Sequence, residues 1–417
     1  MIFKKEVFNA LAYKEFKYYV VARFLITVAI SFQSVIIGWK IYILTNSKLL
    51  LGFIGLTEAI PAIGVALYGG YIADKYDKQK LYMYCLSFFA LLSGMLIFIT
   101  HDYFLHLAGL RNTVIAIYII IFLTGIARGL AGPASFSLST FLIPKHLYQN
   151  GATWSSSAWQ LGAVIGPAFA GILFGFLGIT KTFTIQLILI IFSVFLIYNI
   201  KPKSPVQTTV AESVWKSIQV GLKFVFQNKI ILSCISLDLF AVLFGGAVAL
   251  LPVYANDILH VGPQGLGALR AMPAVGAIFT MLFVAFSPIH KNAGYKLLFS
   301  VAGFGLCIIL FGISTNFYLS LCCLMIGGAL DGVSVIIRHT IIQLKTPAEM
   351  RGRVSAVNSM FIGSSNEIGE FESGVTARLF GTVPAVVFGG AMTILVVIVT
   401  YFYAPSIRKL ELKTDED

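Results

Sequence analysis

Gly69-Gly70-Tyr71-Ile72-Ala73-Asp74-Lys75-Tyr76-Asp77-Lys78-Gln79-Lys80 joins two uninterrupted apolar runs, at about 50–73 and 81–100. Each run is long enough for an α-helix to cross roughly 30 Å of hydrocarbon. The joining segment is short and carries Lys75, Lys78 and Lys80 beside the spans. Cations in a short loop between two spans mark the cytoplasmic side. The stretch therefore reads as the tip of a helical hairpin that crosses a membrane and returns.

The pattern repeats along the chain. Of its 417 residues, 58% are hydrophobic and 12% charged, a balance outside that of soluble globular domains. Twelve runs of spanning length are expected, at about 18–44, 50–73, 81–100, 112–142, 154–178, 182–200, 230–254, 264–286, 295–313, 316–340, 354–380 and 383–403. The fold class is thus an all-α polytopic membrane protein. No catalytic constellation and no GxxxxGK(S/T) phosphate loop is present, so the sequence points to neither an enzyme nor an ATP-driven pump. Five cysteines, Cys85, Cys234, Cys307, Cys322 and Cys323, lie in apolar runs without ligand-like spacing. They read as packing, with no metal and no cofactor expected.

The net charge of +12 invites nucleic acid as a partner. The placement of the charges argues against it. If the N-terminus is cytoplasmic, the cytoplasmic segments hold Lys4, Lys5, Lys14, Lys17, the 75–80 loop, Lys145 and the lysines of 201–229, with further cations at 291–296, 345–353 and the C-terminal tail. The external loops keep Lys48, Arg111 and Lys181. This bias predicts that both termini are cytoplasmic. Charges ahead of a full-length first span argue against a cleavable leader.

The longest hydrophilic stretch, 201–229, divides the chain. We expect an N-terminal six-helix bundle over 1–200, a cytoplasmic linker with an amphipathic helix over 201–229, and a second six-helix bundle with its tail over 230–417. Val214, Ile218, Leu222, Val225 and Phe226 share one face of the linker helix, which suits either the inner leaflet or an ordinary connector. The halves are related. At an offset of 203, Gly125, Gly129, Pro144, Gly166, Gly171 and Gly178 fall on Gly328, Gly332, Pro347, Gly369, Gly374 and Gly381. At an offset of 212, Tyr42, Gly55, Pro61 and Gly64 fall on Tyr254, Gly267, Pro273 and Gly276. The charges are not copied: Arg128 aligns with Asp331, and Glu58 with Arg270.

The loop quoted at the outset resembles the signature loop of the major facilitator superfamily: a Gly, three residues, an Asp, then cations. Asp77 stands where that pattern has a second glycine, which is similar to the macrolide-efflux and enterobactin-exporter-like branch. Gly70 would permit close helix approach. Asp74 would face the positive N-terminus of a helix starting near Val354, and Lys75 and Lys80 would hold the loop inside. In span 5, Gly162-Ala163-Val164-Ile165-Gly166-Pro167-Ala168-Phe169-Ala170-Gly171 resembles the superfamily's antiporter motif, with Gly162, Gly166 and Pro167 in register. It departs from the pattern at Thr153 and Ala170. Segments 221–226 and 346–354 look like the same branch. The resemblance implies that helices 1, 4, 7 and 10 line a central substrate cavity, that 2, 5, 8 and 11 join the halves, and that 3, 6, 9 and 12 face lipid. It also implies a monomer in a bacterial cytoplasmic membrane.

Charges inside apolar spans are the main functional signal, because an intramembrane carboxylate costs about 2.5–3.5 kcal/mol even on the mildest scale. The acids are Glu58, Asp238, Asp331, Glu367, Glu370 and Glu372, and the arginines are Arg23, Arg128, Arg270, Arg338 and Arg378. Arg128 and Asp331 are expected to face one cavity, as substrate anchor and proton site or as a structural ion pair. Asp238 is a second cavity acid. Gln33 and Trp39 offer a polar group and an aromatic surface, or simply pack. Glu367 and Glu370 share a helical face while Glu372 points elsewhere. Asp238, Asp331, Glu367 and Glu370 are therefore the candidate proton carriers. Glu58 and Arg378 are expected to pair and close the external side.

These readings converge on a secondary active transporter. Its partners would be protons, a small molecule and the bilayer. The leading form is a proton-coupled exporter, an antiporter, of an amphiphile such as a drug, macrolide or siderophore. The alternative is a proton-coupled importer of a nutrient or metabolite, since fold does not settle direction.

Overall fold

Backbone in hydrocarbon has no water to bond, so each apolar run must close its hydrogen bonds within itself as a helix. The computed structural model, which describes residues 8–201, 214–286, 292–347, 350–408 and 410–411, follows that rule, and no strand occurs among the described residues. The principal helices are α1 (Lys14–Thr45), α2 (Lys48–Lys75), α3 (Lys78–Ile99), α4 (Asp102–Phe141), α5 (Tyr148–Tyr198) and α6 (Val214–Gln227). They continue as α7 (Lys229–Phe244), α8 (Gly262–Phe286), α9 (Ala293–Ile313), α10 (Phe317–Lys345), α11 (Arg351–Phe380) and α12 (Thr382–Tyr403).

Ten helical stretches are long and apolar enough to cross a membrane. One of them, α5, is two spans joined at Gly178. The more polar α11 is not among the ten, although its length of 30 residues suffices. Counting these brings the chain to the expected twelve. The boundary of span 7 differs in kind from the sequence expectation. Hydropathy carries span 7 unbroken to 254, but α7 stops at Phe244 before Gly245 and Gly246, and continues as short turns through Ile258.

The sequence repeat is also a structural repeat. Gly178 and Gly381 both turn the chain between spans with positive φ, 80° and 95°. Only glycine adopts this conformation without steric cost. A Cβ placed on Gly125 would lie 2.7 Å from Pro61 Cγ, and one on Gly328 would lie 2.6 Å from the Pro273 carbonyl carbon. Gly125 and Gly328 are repeat partners, as are Pro61 and Pro273, so the α2–α4 contact recurs as α8–α10. Likewise a Cβ on Gly166 would meet Ser31 of α1 at 2.7 Å, and one on Gly369 would meet Leu243 of α7 at 2.8 Å. Absent side chains let these backbones approach, which is how helices associate in lipid.

Close packing divides the chain into two units. One comprises Met1–Leu44 and Thr57–Ala211, the other Thr45–Leu56 and Glu212–Asp417. The first unit is packed around Phe16, Tyr19, Leu86, Phe89, Leu138 and Ile197. The second is packed around Leu237, Leu297, Val301, Ile337, Ile341 and Val397. α6 belongs to the second unit, where Val225 is buried with Ile231, Val354 and Val357. Its neighbour Lys223 is exposed. The KPKSP start of the linker lies outside the described residues. Large apolar side chains are exposed on α3 (Leu91, Phe98), on the second half of α5 (Ile188, Ile191, Phe195), on α9 (Phe299, Leu306) and on α12 (Leu395, Phe402). Such surfaces suit contact with acyl chains, and large apolar side chains are exposed on α2, α4, α8 and α10 as well (Ile60, Phe136, Phe283, Tyr318).

Candidate functional site

The signature loop is described in part. Asp77 caps α3, its side chain accepting the Lys80 backbone N–H at 2.9 Å. A carboxylate at this position satisfies an otherwise orphaned helix donor, which accounts physically for an acid where the superfamily pattern has a glycine. Lys80 is exposed. Lys78 is buried, its ammonium 4.8 Å from the Phe141 ring centroid. The expected roles of Gly70, Asp74 and Lys75 concern residues whose side chains lie outside the described set. In span 5, a Cβ on Gly162 would lie 2.8 Å from Thr27 Cβ, so the glycine row of Gly162 and Gly166 seats α5 directly on α1. Pro167 sits inside α5.

Several charged groups have partners inside their own unit. In the first unit, the Gly125 contact brings α4 against α2, and Arg128 donates to Glu58 at 3.0 Å. The Arg128 side chain is 41% exposed and that of Glu58 13% exposed. Repeat position and depth suggest joining Arg128 to Asp331 and Glu58 to Arg378; within the first unit, Arg128 bonds to Glu58. The reason for this pair is local, since the glycine contact at Gly125 holds α4 against α2. Arg378 is exposed in the last turn of α11, where a cation complements the helix dipole.

Gln33 is buried and donates to Thr124 Oγ1 at 3.3 Å, tying α1 to α4. Trp39 is buried, its ring centroid 6.0 Å from that of Phe174. These contacts lie within the first unit. Lys40, not singled out from the sequence, is buried and reaches the exposed Asp102 at 3.3 Å. Arg23 lies nearer the start of α1. It donates to Ser135 Oγ at 2.8 Å and to Tyr19 Oη at 3.2 Å. Tyr19 in turn shares hydrogen bonds with Ser135 (3.0 Å) and Ser155 (3.2 Å).

In the second unit, Asp238 of α7 and Arg338 of α10 form a buried ion pair. Arg338 is held by a further bond from its Nε to the Ser334 carbonyl at 3.3 Å. Glu367 and Glu370 lie on one face of α11, and their carboxylates converge on Gly55 of α2. A Cβ there would be 2.8 Å from one Oε2 and 3.0 Å from the other. The Glu370 charge also acts on Arg270 of α8. Beside them the helices touch backbone to backbone, since a Cβ on Gly374 would lie 2.7 Å from Gly52 Cα. Phe53 and Phe371 pack with centroids 5.1 Å apart. Glu372 points away and accepts from Thr376 at 2.7 Å. Asp331, half-buried at the middle of α10, has neither a hydrogen-bond nor an ion-pair partner among the described residues.

Sequence reasoning missed Tyr19, Ser135 and Ser155. Two signals point to them: Tyr19 is four residues before Arg23 on the same helical face, and Ser135 is the repeat partner of Arg338 at the offset of 203.

Comparison with known proteins agrees with this architecture. The chain is similar to the enterobactin exporter EntS of Shigella boydii, 24% identical over 343 residues that cover 81% of this chain and 79% of the relative. Against the enterobactin exporter EntS of Shigella flexneri the identity is 23%, with 81% and 78% covered. Among solved structures, a D-xylose–proton symporter superposes with a TM-score of 0.72 at 14% identity, covering 96% of this chain and 99% of that one. The nucleoside transporter NupG gives 0.67 at 14% identity, covering 95% and 100%. At these identities the structural likenesses speak for the fold. Residues 6–416 match the transmembrane secretion effector family, and with twelve membrane-spanning helices in two repeated sets, the chain belongs to that family of major facilitator transporters.

Proposed function

We propose that this transporter exports an amphiphilic small molecule from the cytoplasm by alternating access, driven by inward flow of protons across a bacterial cytoplasmic membrane. The likeness to enterobactin exporters over 81% of the chain supports export and makes a siderophore the first substrate to try. Drugs and macrolides are the other amphiphiles to test.

Proton coupling rests on one observation: Asp331 stands mid-helix without a cation or hydrogen-bond partner among the described residues. Ionising a half-buried carboxylate in a membrane span without such a partner is costly. In this scheme Asp331 carries the coupled proton and exchanges it when its surroundings change. Asp238 is already neutralised by Arg338, and Glu370 is balanced in part by Arg270. Glu367 and Glu370, crowded on Gly55, are the second candidates. Gly70, Asp74, Lys75, Lys80, Gly162, Gly166 and Pro167 serve the conformational cycle as close-packing and loop-anchoring positions. Glu58 serves it through Arg128.

Purified protein in inside-out vesicles with an acidic interior tests the scheme. Enterobactin added outside accumulates within, and a protonophore abolishes the accumulation. If preloaded enterobactin instead leaves such vesicles with the protons, the direction is import. If a proton gradient moves enterobactin, macrolides and cationic dyes in neither direction, the coupling is wrong.

Both termini and the 201–229 segment are cytoplasmic in this reading, following the bias of Lys and Arg. Cysteines introduced at Lys203 and Lys48 then react with an impermeant maleimide from opposite faces of the membrane. Reaction of both from one face would refute the orientation.

A further inference from the structure

Arg23 stands apart from the other arginines described in the spans. Arg128 has Glu58, and Arg338 has Asp238. Arg270 feels the charge of Glu370, and Arg378 is exposed at a helix end. Arg23 has no carboxylate within ion-pair reach among the described residues; its terminal nitrogen is bonded only to hydroxyls, those of Tyr19 and Ser135. Its Nε, like that of Arg270, is buried with no acceptor. An arginine keeps its charge under all ordinary conditions, so this cation cannot escape desolvation by losing a proton.

The repeat makes the difference specific. At the offset of 203, Arg338 falls on Ser135. At the offset of 212, Asp238 falls on Ile26, one turn along the same helix from Arg23. In the second unit, the contact between α7 and α10 thus holds a carboxylate and a guanidinium that neutralise each other. In the first unit, the corresponding contact between α1 and α4 holds a guanidinium and a hydroxyl. The same helix junction supplies its own anion in one unit and not in the other. The groups around the Arg23 guanidinium are well suited to an anion. Tyr19, Ser135 and Ser155 form one hydroxyl cluster, and each hydroxyl can turn to donate. A guanidinium with adjacent hydroxyl donors matches the oxygens of a carboxylate or comparable oxyanion.

We propose that Arg23, with Tyr19, Ser135 and Ser155, forms the subsite of the first unit that binds an acidic oxygen group of the transported molecule. The substrate class is thereby narrowed to amphiphiles bearing a carboxylate or an equally acidic hydroxyl, rather than cationic drugs. Transport of the bound acid rests on the exporter reading, whereas the subsite itself does not, so binding is measured apart from transport.

The test is thermal stabilisation of the full chain, purified in a neutral detergent, by 9-anthracenecarboxylate and by its uncharged amide. The acid stabilises the wild type and the amide much less. Arg23→Gln raises the half-saturating concentration of the acid by about ten-fold or more, the worth of a charge-assisted hydrogen-bond pair, while Arg23→Lys retains part of the preference. Ser135→Asp supplies a carboxylate from within. It raises the melting temperature without ligand and removes the response to the acid. Acid and amide acting alike on the wild type, including no effect of either, overturns the proposal, as does an unchanged preference in Arg23→Gln. Stabilisation by phosphatidylglycerol over phosphatidylcholine, lost in Arg23→Gln and without any effect of the acid, assigns the site to a lipid headgroup and overturns the substrate reading. An Arg23-dependent acid preference in a protein that moves no substrate would keep the subsite and remove the exporter.

Discussion

Asp331→Asn abolishes accumulation of substrate against its gradient while leaving exchange of substrate between the two sides intact. The amide keeps the shape and hydrogen-bonding size of the protonated acid but can neither take nor release a proton. The half-buried position at the middle of α10, with no partner among the described residues, favours a neutral group in hydrocarbon, and the amide is permanently neutral. The alternation between states therefore survives and only its coupling is lost. One proton crossing about 100 mV supplies roughly 2.3 kcal/mol, enough for a concentration ratio of about 50-fold. That ratio collapses toward unity in the variant. Vesicles preloaded with unlabelled substrate and given labelled substrate outside report the surviving exchange. Glu367→Gln and Glu370→Gln serve as matched comparisons. Full uphill transport by Asp331→Asn would remove this residue from the coupling scheme, and loss confined to one of the glutamine variants would transfer the role to α11.

The buried pair of Asp238 and Arg338 gives the largest expected effect on stability. Removing one member of a buried ion pair costs about 3–5 kcal/mol, because the other charge is left uncompensated. The two removals are not equivalent. Asp238→Asn strands a guanidinium that stays charged, with the Ser334 carbonyl as its remaining bonded acceptor. Arg338→Met strands a carboxylate that can bind a proton and become neutral. Asp238→Asn is therefore the more damaging change. The double variant Asp238→Asn with Arg338→Met leaves no buried charge at the junction and recovers most of the loss. Melting temperatures of the four proteins in one detergent measure this cycle. A double variant as unstable as the sum of the single ones would mean that the two residues are not coupled.

Much of the architecture is legible in the order of residues alone. Apolar run length, the positions of lysines outside the runs, and glycines recurring at offsets of 203 and 212 are local or periodic properties. A bilayer leaves them few structural solutions, since only helices satisfy the backbone there. The break after Phe244 is harder to read because Gly245-Gly246 interrupts a run whose hydropathy continues unchanged. Polar partners are harder still. Arg378 suits Glu58 as a partner by depth and sign, and Asp331 suits Arg128 by repeat position. Neither depth nor repeat position encodes which helices touch.

By itself, the sequence determined that this protein is a bundle of membrane-spanning helices in two related sets, with acids and arginines confined to certain spans. These conclusions rest on the energy of moving each residue from water to hydrocarbon, which depends on the residue and its immediate neighbours. Only the tertiary structure decided how those charges are partnered: Arg128 with Glu58 and Arg338 with Asp238, while among the described residues Arg23 bonds to hydroxyls alone and Asp331 has no partner. The reason is geometric. A side chain reaches only a few ångströms, so its partner is set by which helices cross, and at what height, and that is decided by glycine contacts such as Gly125 on α2 and Gly369 on α7.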